Sequence, residues 1–328
     1  MRILVTGALG YIGSHTCVEL LNAGHEVIGV DDLSNSRIEV LEHIQTITGK
    51  TMQFIKTDCV VPVQEFGVTF TRAPIDGIIH FAAYKSVGES VKEPLKYYQN
   101  NIDSLRNILA LAKRKKTPIV FSSSACVYGD KYSGDLYETL ALNPINPYGV
   151  TKVMGERLVE DCDVAYGIPS VSLRYFNPIG SHESGLLGDS TITNLMPFIL
   201  KVAAKEEATL KIFGNNYHTF DGTAIRDYVH VMDIAKAHIK ALELISSGVS
   251  QSPINIGSGI GRSVLEVCRS FEKATGISIP YVFEPKRSGD APYLVANNHR
   301  AKSVLKWSPE LDLEAMCSSA WNYKQQLK

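Results

Sequence analysis

Short apolar runs alternate with longer amphipathic segments along the first half of the chain. Ile3-Leu4-Val5 reads as a buried strand, and an amphipathic helix follows to about Leu21. A second run from Glu26 to Val30 ends at Asp31. Residues 37–48 carry helical spacing and 52–56 strand spacing. Ile75 to His80 reads as a strand, Tyr84 to Ser90 as a polar loop, and Leu95 to about Lys113 as a helix. Ile119-Val120-Phe121 reads as a strand, with the serines Ser122 to Ser124 after it. A helix from Tyr148 to about Tyr166 and a strand from Ser170 continue the series. Apolar strands that do not alternate are buried on both faces, as in parallel sheets covered by helices. The expected fold class is α/β, a doubly wound parallel sheet with ligands at its C-terminal strand ends.

The alternation weakens beyond residue 177, and residues 180–191 are irregular and rich in Gly and Ser. Helices are expected from about Asn194 to Ala204, over 231–246, over 263–275 and over 311–326, with one strand at Ile254–Ile256. Pro197 falls in a helical first turn, where its missing N–H costs little. This predicts a first domain over 1–176 and a smaller α/β domain over 177–328, with a discontinuous boundary.

Chemistry enters at the strand ends. Gly7, Gly10 and Gly13 form a G-x-x-G-x-x-G turn between the first strand and the first helix. Glycines there let the backbone approach a pyrophosphate, and the helix N-terminus offers N–H groups and positive dipole. Asp31 closes the second strand, where a carboxylate binds both ribose hydroxyls of an adenosine and repels a 2′-phosphate. This order marks a Rossmann nucleotide site and favours NAD over NADP, with Arg37 the nearby cation that weakens the preference. Asp58 is placed to meet the adenine amino group, and the small residues Ala82 and Ala83 after Phe81 would let a cofactor cross the strand end. Taken singly, each feature also reads as an ordinary turn or close packing.

Tyr148 and Lys152 lie four apart at the start of a helix and share one face. A neighbouring ammonium favours a phenolate and lowers the tyrosine pKa, which suits a general acid/base near neutral pH. By themselves the two are also an exposed Tyr and Lys at a helix start. Ser122, Ser123 and Ser124 sit at a strand end where one hydroxyl could reach a substrate, although serine-rich turns are common.

Composition narrows the setting. A length of 328 residues suits one large domain or two, and 45% hydrophobic residues suffice for a sizeable core. The net charge of -1 provides no long-range attraction to nucleic acid or anionic lipid. Six scattered cysteines without a C-x-x-C spacing argue against a metal site or a disulfide framework. The N-terminus has no leader pattern, and no apolar run approaches membrane-spanning length. The expectation is a soluble cytoplasmic protein.

With these residues assembled, the chain resembles the extended short-chain dehydrogenase/reductases, and among them the family of UDP-hexose 4-epimerases. The likeness covers nearly the whole chain. It rests on V-T-G-x-x-G-Y-I-G-S-H-T at 5–16, K-x-V-G-E-S at 85–90 and S-S-S-A-C-V-Y-G at 122–129. It continues with P-Y-G-x-T-K at 147–152, R-Y-F-N-P-I-G at 174–180 and N-L-M-P at 194–197. D-G-T-x-I-R-D-Y-V-H-V-M-D at 221–233 and R-S-G-D at 287–290 complete it. The resemblance implies an enzyme that interconverts UDP-glucose and UDP-galactose. The sugar would be oxidised transiently at carbon 4 with tightly bound NAD, then reduced from the opposite face.

The resemblance also implies roles. Tyr148 would be the acid/base, Lys152 would tune it and bind the nicotinamide ribose, and Ser124 would bond the 4-hydroxyl. Tyr11, Ile12, Asp31, Asn35 and Asp58 would hold NAD, together with Phe81, Lys85, Asn100 and Phe176. Asn177, Asn194, Leu195 and Arg226 would hold the UDP-sugar, together with Tyr228, Arg287 and Asp290. His230 and the other histidines are read as structural. Asp32 stands where many members have Asn, and Lys286 replaces an Arg beside Arg287. The wall that limits the sugar's 2-substituent would fall at Leu294, one residue from Tyr293. Family members are usually homodimers built on the helices near 95–113 and 148–166. The alternatives are an N-acetylhexosamine epimerase, a sugar-nucleotide dehydratase and a silent NAD-sensing protein. Dehydratases carry an Asp-Glu pair where this chain has Ala125 and Cys126.

Overall fold

The structure, a computed structural model, describes residues 1–62, 74–191, 194–287 and 291–327. The chain begins with β1 (Arg2–Thr6), α1 (Tyr11–Asn22), β2 (Glu26–Asp31), α2 (Glu39–Thr48) and β3 (Gln53–Lys56). Next come β4 (Gly77–His80), α3 (Val87–Lys92), α4 (Pro94–Lys113) and β5 (Ile119–Ser124), which ends in a 3-10 turn at Ala125–Val127. The helix α5 (Pro147–Tyr166), β6 (Ser170–Tyr175) and β7 (Asn177–Ile179) follow.

The later elements are α6 (Leu195–Ala203), β8 (Leu210–Phe213), β9 (Ile225–His230), α7 (Val231–Ile245) and β10 (Ile254–Ile256). After them come β11 (Gly261–Ser263), α8 (Val264–Thr275), β12 (Tyr281–Glu284), β13 (Tyr293–Leu294), α9 (His299–Val304) and α10 (Leu313–Gln326).

The main sheet has seven parallel strands in the order β10-β6-β5-β4-β1-β2-β3. Its two faces explain the unbroken apolar runs. Ile3 and Val5 pack with Val18, Leu21 and Leu242 on one face, while Leu4 joins Ile28, Leu105, Ile108 and Val159 on the other. Successive side chains of one strand thus serve two cores. The strand order reverses between β1 and β4, and the crevice opens outside that reversal. The seventh strand, β10, comes from late in the chain, so the polypeptide returns to the sheet after residue 177.

Beyond the sheet, β9 lies between β11 and β13 and also pairs with β7, and β8 pairs with β12. The smaller core beneath them joins Ile199, Ile212, Phe271 and Cys317.

Several expectations change. Residues 87–90 of the expected polar loop form α3 together with Val91 and Lys92, and its start is capped by Ser86 accepting from the Glu89 N–H at 3.3 Å. Strand β5 runs on through all three serines, because they pair in register with Leu173, Arg174 and Tyr175. The segment 225–230, left without an assignment, is β9, and β11 separates the 257–261 turn from α8. Strands β8, β12 and β13 and helix α9 were not anticipated, since two to six residues leave little periodicity to read.

Candidate active site

A cavity of ≈ 940 Å³ follows the strand ends from Asp31 to Tyr148. Its floor at one end is the glycine turn. A Cβ on Gly13 would lie 2.1 Å from the Gly7 carbonyl oxygen, and one on Gly7 would lie 2.9 Å from the Ala82 nitrogen. Gly7 also has φ +66°, a conformation that glycine adopts without strain. Helix α1 starts at Gly10 with no side-chain cap, which leaves its first N–H groups facing any anion placed there.

Asp31 is buried at the end of β2. Its Oδ2 accepts from the Leu9 N–H at 3.0 Å, and its Oδ1 from the Leu33 N–H at 3.0 Å and the Ser36 hydroxyl at 2.7 Å. These bonds fix the carboxylate facing the cleft. The expected Gly7, Gly10, Tyr11, Ile12 and Gly13 all line the cavity, as do Asp31, Asn35 and Asp58. Phe81, Lys85 and Asn100 lie on the same wall. An uncapped helix start, glycines packed too closely for a Cβ and an oriented acid fit a dinucleotide. Ser124 and Phe176 are not among the described lining residues, and the Phe176 ring packs with Val127, Tyr128, Leu136 and Ala296 instead.

Tyr148 and Lys152 close the other end. Pro147 sits in the first turn of α5, and the Asn146 side chain accepts from the Gly149 N–H at 2.8 Å, so the helix begins just before Tyr148. Lys152 is buried, with its Nζ donating to the Ser122 carbonyl at 2.6 Å and lying 5.7 Å from the Tyr148 ring centre. Burial lowers its pKa to about 8, opposed by Cys126 and Glu156.

Tyr148 departs from expectation. Burial pushes its phenol well above the ordinary value, with the hydrogen bond to Ser124 opposing the shift. Removing a phenolate from water costs more than an ammonium at this distance returns. The Ser124 hydroxyl also accepts from the Cys126 N–H at 3.2 Å, which orients it toward the turn.

The residues expected to hold a UDP-sugar come from the second half. Asn177 of β7 pairs in register with Tyr228 of β9, and its amide donates to the Asp227 carbonyl at 3.0 Å. The charges of Arg226 and Lys152 both oppose the rise that burial gives the Cys126 thiol pKa. Asn194 is exposed as the N-cap of α6, and Leu195 begins that helix. The Arg287 guanidinium stacks on the Phe213 ring at 3.8 Å. Asp290 lies outside the described residues.

Other residues reach the cleft without a local signal in the sequence. Asp189 lines the cavity from the irregular 180–191 stretch and meets Lys85 at 3.7 Å. Tyr323 arrives on the same wall from α10. His230 is a scaffold group: its Nδ1 accepts from the Met232 N–H at 3.1 Å, and its Nε2 meets the Ser319 hydroxyl at 3.0 Å.

A glycine turn at the reversal point of a parallel sheet, faced by an acid on the next strand, is the architecture of Rossmann-type dinucleotide-binding proteins. The model of the NAD dependent epimerase/dehydratase family matches residues 3–257, and the chain belongs to that family. It is 44% identical to a UDP-glucose 4-epimerase of Bacillus subtilis (strain 168), over 99% of this chain and 97% of that protein. It is also 44% identical to a UDP-glucose 4-epimerase of Neisseria meningitidis serogroup C, covering 98% and 96% of the two chains. Among solved structures it resembles a Stenotrophomonas maltophila UDP-glucose-4-epimerase with bound NAD and formylated UDP-arabinopyranose. The TM-score is 0.96 at 40% identity, over 100% of this chain and 98% of that one. It also resembles the Bifidobacterium longum UDP-glucose 4-epimerase in complex with NAD+ and UDP. That TM-score is 0.94 at 40% identity, over 100% and 99% of the two chains.

Proposed function

We propose that this protein is an NAD-dependent epimerase interconverting UDP-glucose and UDP-galactose at carbon 4. The observation that carries the reading is that Tyr148 and Lys152 line one end of the dinucleotide cleft, with the Ser124 hydroxyl at the end of β5 bonded to Tyr148. Relatives named UDP-glucose 4-epimerase, alike over nearly their whole length, support it.

Gly7, Gly10, Tyr11, Ile12 and Gly13 would hold the NAD pyrophosphate, Asp31 and Asn35 its adenosine ribose, and Asp58 the adenine. Phe81, Lys85, Asn100, Ser124, Tyr148 and Lys152 would hold the nicotinamide half, whereas Phe176, expected there, packs into the cluster with Val127 and Tyr128. NAD in this cleft supplies reversible hydride acceptance. The chain supplies the proton chemistry. Tyr148, after its own proton has passed to solvent, would take the proton of the 4-hydroxyl as the sugar is oxidised and return it as the 4-keto group is reduced, and Ser124 would bridge the two oxygens. The Lys152 ammonium offsets the negative charge that develops on the phenol. Tight anchoring of UDP leaves the hexose free to present either face. Asn177, Asn194, Leu195, Arg226, Tyr228, Arg287 and Asp290 would hold the nucleotide-sugar, with Arg226 from β9 and Arg287 from the segment after β12 suited to a diphosphate.

A dehydratase reading lacks its acid pair, because Ala125 and Cys126 stand next to Ser124. Residues 1–176 would hold most of NAD and 177–328 the sugar nucleotide, with a discontinuous boundary, since β10 joins the main sheet and Asp189 and Tyr323 line the same cleft. A homodimer through α4 and α5 is supported by large apolar side chains left in water there, Leu95 at 82% and Val164 at 83% exposure. A cytoplasmic location is supported by six cysteines without a disulfide. No helix among the described residues is long and apolar enough to cross a membrane.

The test is incubation with UDP-galactose without added NAD, followed by chromatography. UDP-glucose is the expected product. No conversion by NAD-loaded protein, or a product lighter by one water, would overturn the assignment.

A further inference from the structure

Below the catalytic residues lies an ion pair that the proton chemistry does not use. Glu156 and Arg174 are 8% and 3% exposed. Arg174 holds the carboxylate with two bonds, Nη2 to Oε2 at 2.7 Å and Nε to Oε1 at 2.9 Å. Oε1 also accepts from the Ser123 hydroxyl at 2.5 Å. The remaining arginine donors go to the Tyr128 oxygen at 2.9 Å and the Glu138 carbonyl at 3.2 Å. Tyr128 in turn donates to Asn255 Oδ1 at 2.7 Å, which ties the pair to β10.

A buried ion pair is a weak source of stability, since apolar residues of similar volume usually serve as well or better. Its location supplies a better account. Glu156 lies four residues after Lys152 and eight after Tyr148, on the same stripe of α5. Arg174 pairs with Ser123 across β5 and β6, one step before Ser124. Helix α5 is therefore fastened to β5 at successive turns, Lys152 to the Ser122 carbonyl and Glu156 to the Ser123 hydroxyl.

We propose that the buried Glu156–Arg174 pair is a positioning device that locks α5 to β5 in the register setting Ser124 against Tyr148 and Lys152 on the Ser122 carbonyl. Only the kinetic part of its test rests on the epimerase reading. The pair also shapes the field at Lys152. That ammonium faces Tyr148 and Glu156 on α5, the Phe121 ring and Ser122 carbonyl on β5, Cys126 on the turn and His80 on β4. His80 is neutral, with its pKa lowered by burial to about 3, and burial holds the Cys126 thiol protonated. Glu156 raises the Lys152 pKa, and its loss would let Lys152 give up its proton more easily.

The experiment compares Glu156→Gln, Ser123→Ala and the double variant Glu156→Leu/Arg174→Met with the parent, all loaded with NAD. For Glu156→Gln, kcat falls about tenfold or more while KM stays within about twofold, as expected when catalytic groups are misplaced. Its alkaline limb moves to lower pH, which a purely structural loss would not produce. The double variant regains the parent's unfolding temperature but keeps the reduced kcat. Ser123→Ala leaves the ion pair intact, so it carries the test if Glu156→Gln does not fold, and its kcat falls several-fold. Parent-like kcat in folded Glu156→Gln or in Ser123→Ala would overturn the proposal, as would recovery of kcat in the double variant. A crystal structure of Glu156→Gln reads the geometry whether or not the parent turns over UDP-sugars. Displacement of Lys152 from the Ser122 carbonyl or of Ser124 from Tyr148 is expected, and an unchanged arrangement refutes the device.

Discussion

Tyr148 holds its proton more firmly in this cleft than a tyrosine in water, because burial penalises the phenolate. On the proposed reading its release would depend on positive charge held close, and Lys152 would be the fixed source. Tyr148→Phe removes the transferable proton and little else. Turnover of UDP-galactose should fall by about 10² to 10⁴, the usual contribution of a general acid/base. UDP affinity, measured by calorimetry, should be unchanged, and near-parent turnover would remove Tyr148 from its role. A second proposed role for a single residue concerns Leu294 and its neighbour Tyr293. They are successive in β13, so their side chains take opposite faces. Tyr293 donates to Asp135 at 3.0 Å, while Leu294 packs against the cluster containing Phe176 and Ala296 and pairs in register with Arg226. Leucine is smaller than tyrosine but still bulky, and overfilling a packed wall costs about 1–3 kcal/mol, roughly tenfold or more in rate. UDP-N-acetylglucosamine should be converted weakly or not at all. Leu294→Tyr should abolish any such activity and spare the hexose pair, read as the ratio of kcat/KM for the two sugar types. Equal ratios in parent and variant would free Leu294 from that role.

The turn between β1 and α1 shows how much of an element can rest on missing atoms. In Gly13→Ala the new methyl would meet the Gly7 carbonyl at 2.1 Å, so backbone must move. Overpacking of this kind costs about 1–3 kcal/mol and opens the turn that faces the pyrophosphate. The variant should fold yet purify with much less NAD, measured by releasing and assaying the cofactor, and full NAD content would show that the turn tolerates the shift. This element was legible in the sequence because its signal is local: apolar Ile3 to Val5, glycines at fixed spacing, then Asp31 after the next run. The large helices and the strands near Leu4, Ile28 and Ile119 were legible for the same reason. Strands β8, β12 and β13 were not, since their short segments owe their form to partners far along the chain. The same holds for Asp189 and Tyr323, which reach the cleft through tertiary folding alone. The protonation of Tyr148 is not legible in the sequence, because an i, i+4 lysine is visible there and burial is not. Glu156 was missed although it continues the stripe of Tyr148 and Lys152, because a glutamate on a helix usually faces solvent.

Across the whole molecule, buried histidines set how the fold answers acid. Burial lowers His15 and His238 to about 4 and His80 and His230 to about 3. Each is held neutral by its surroundings, as where His238 Nε2 meets the Tyr175 hydroxyl at 2.6 Å and His80 Nδ1 meets the Thr6 hydroxyl at 2.8 Å. In the unfolded chain they take up protons near pH 6.5. Between that value and about pH 3 to 4 the unfolded state therefore binds more protons, and stability falls as pH falls. The contribution is fully present above pH 6.5 and lost progressively below it. Buried Asp227 and Asp233 act in the opposite sense, since burial raises both and the folded state takes their protons first. The four lowered histidines outnumber these two carboxylates, so the histidines set the direction of the acid limb. At pH 5 each buried histidine should cost on the order of 1–2 kcal/mol. Denaturant melts at pH 7.5, 6 and 5 should show a steady loss of stability that steepens below pH 6.5. A flat profile across that interval would mean that these four rings gain protons without leaving the fold.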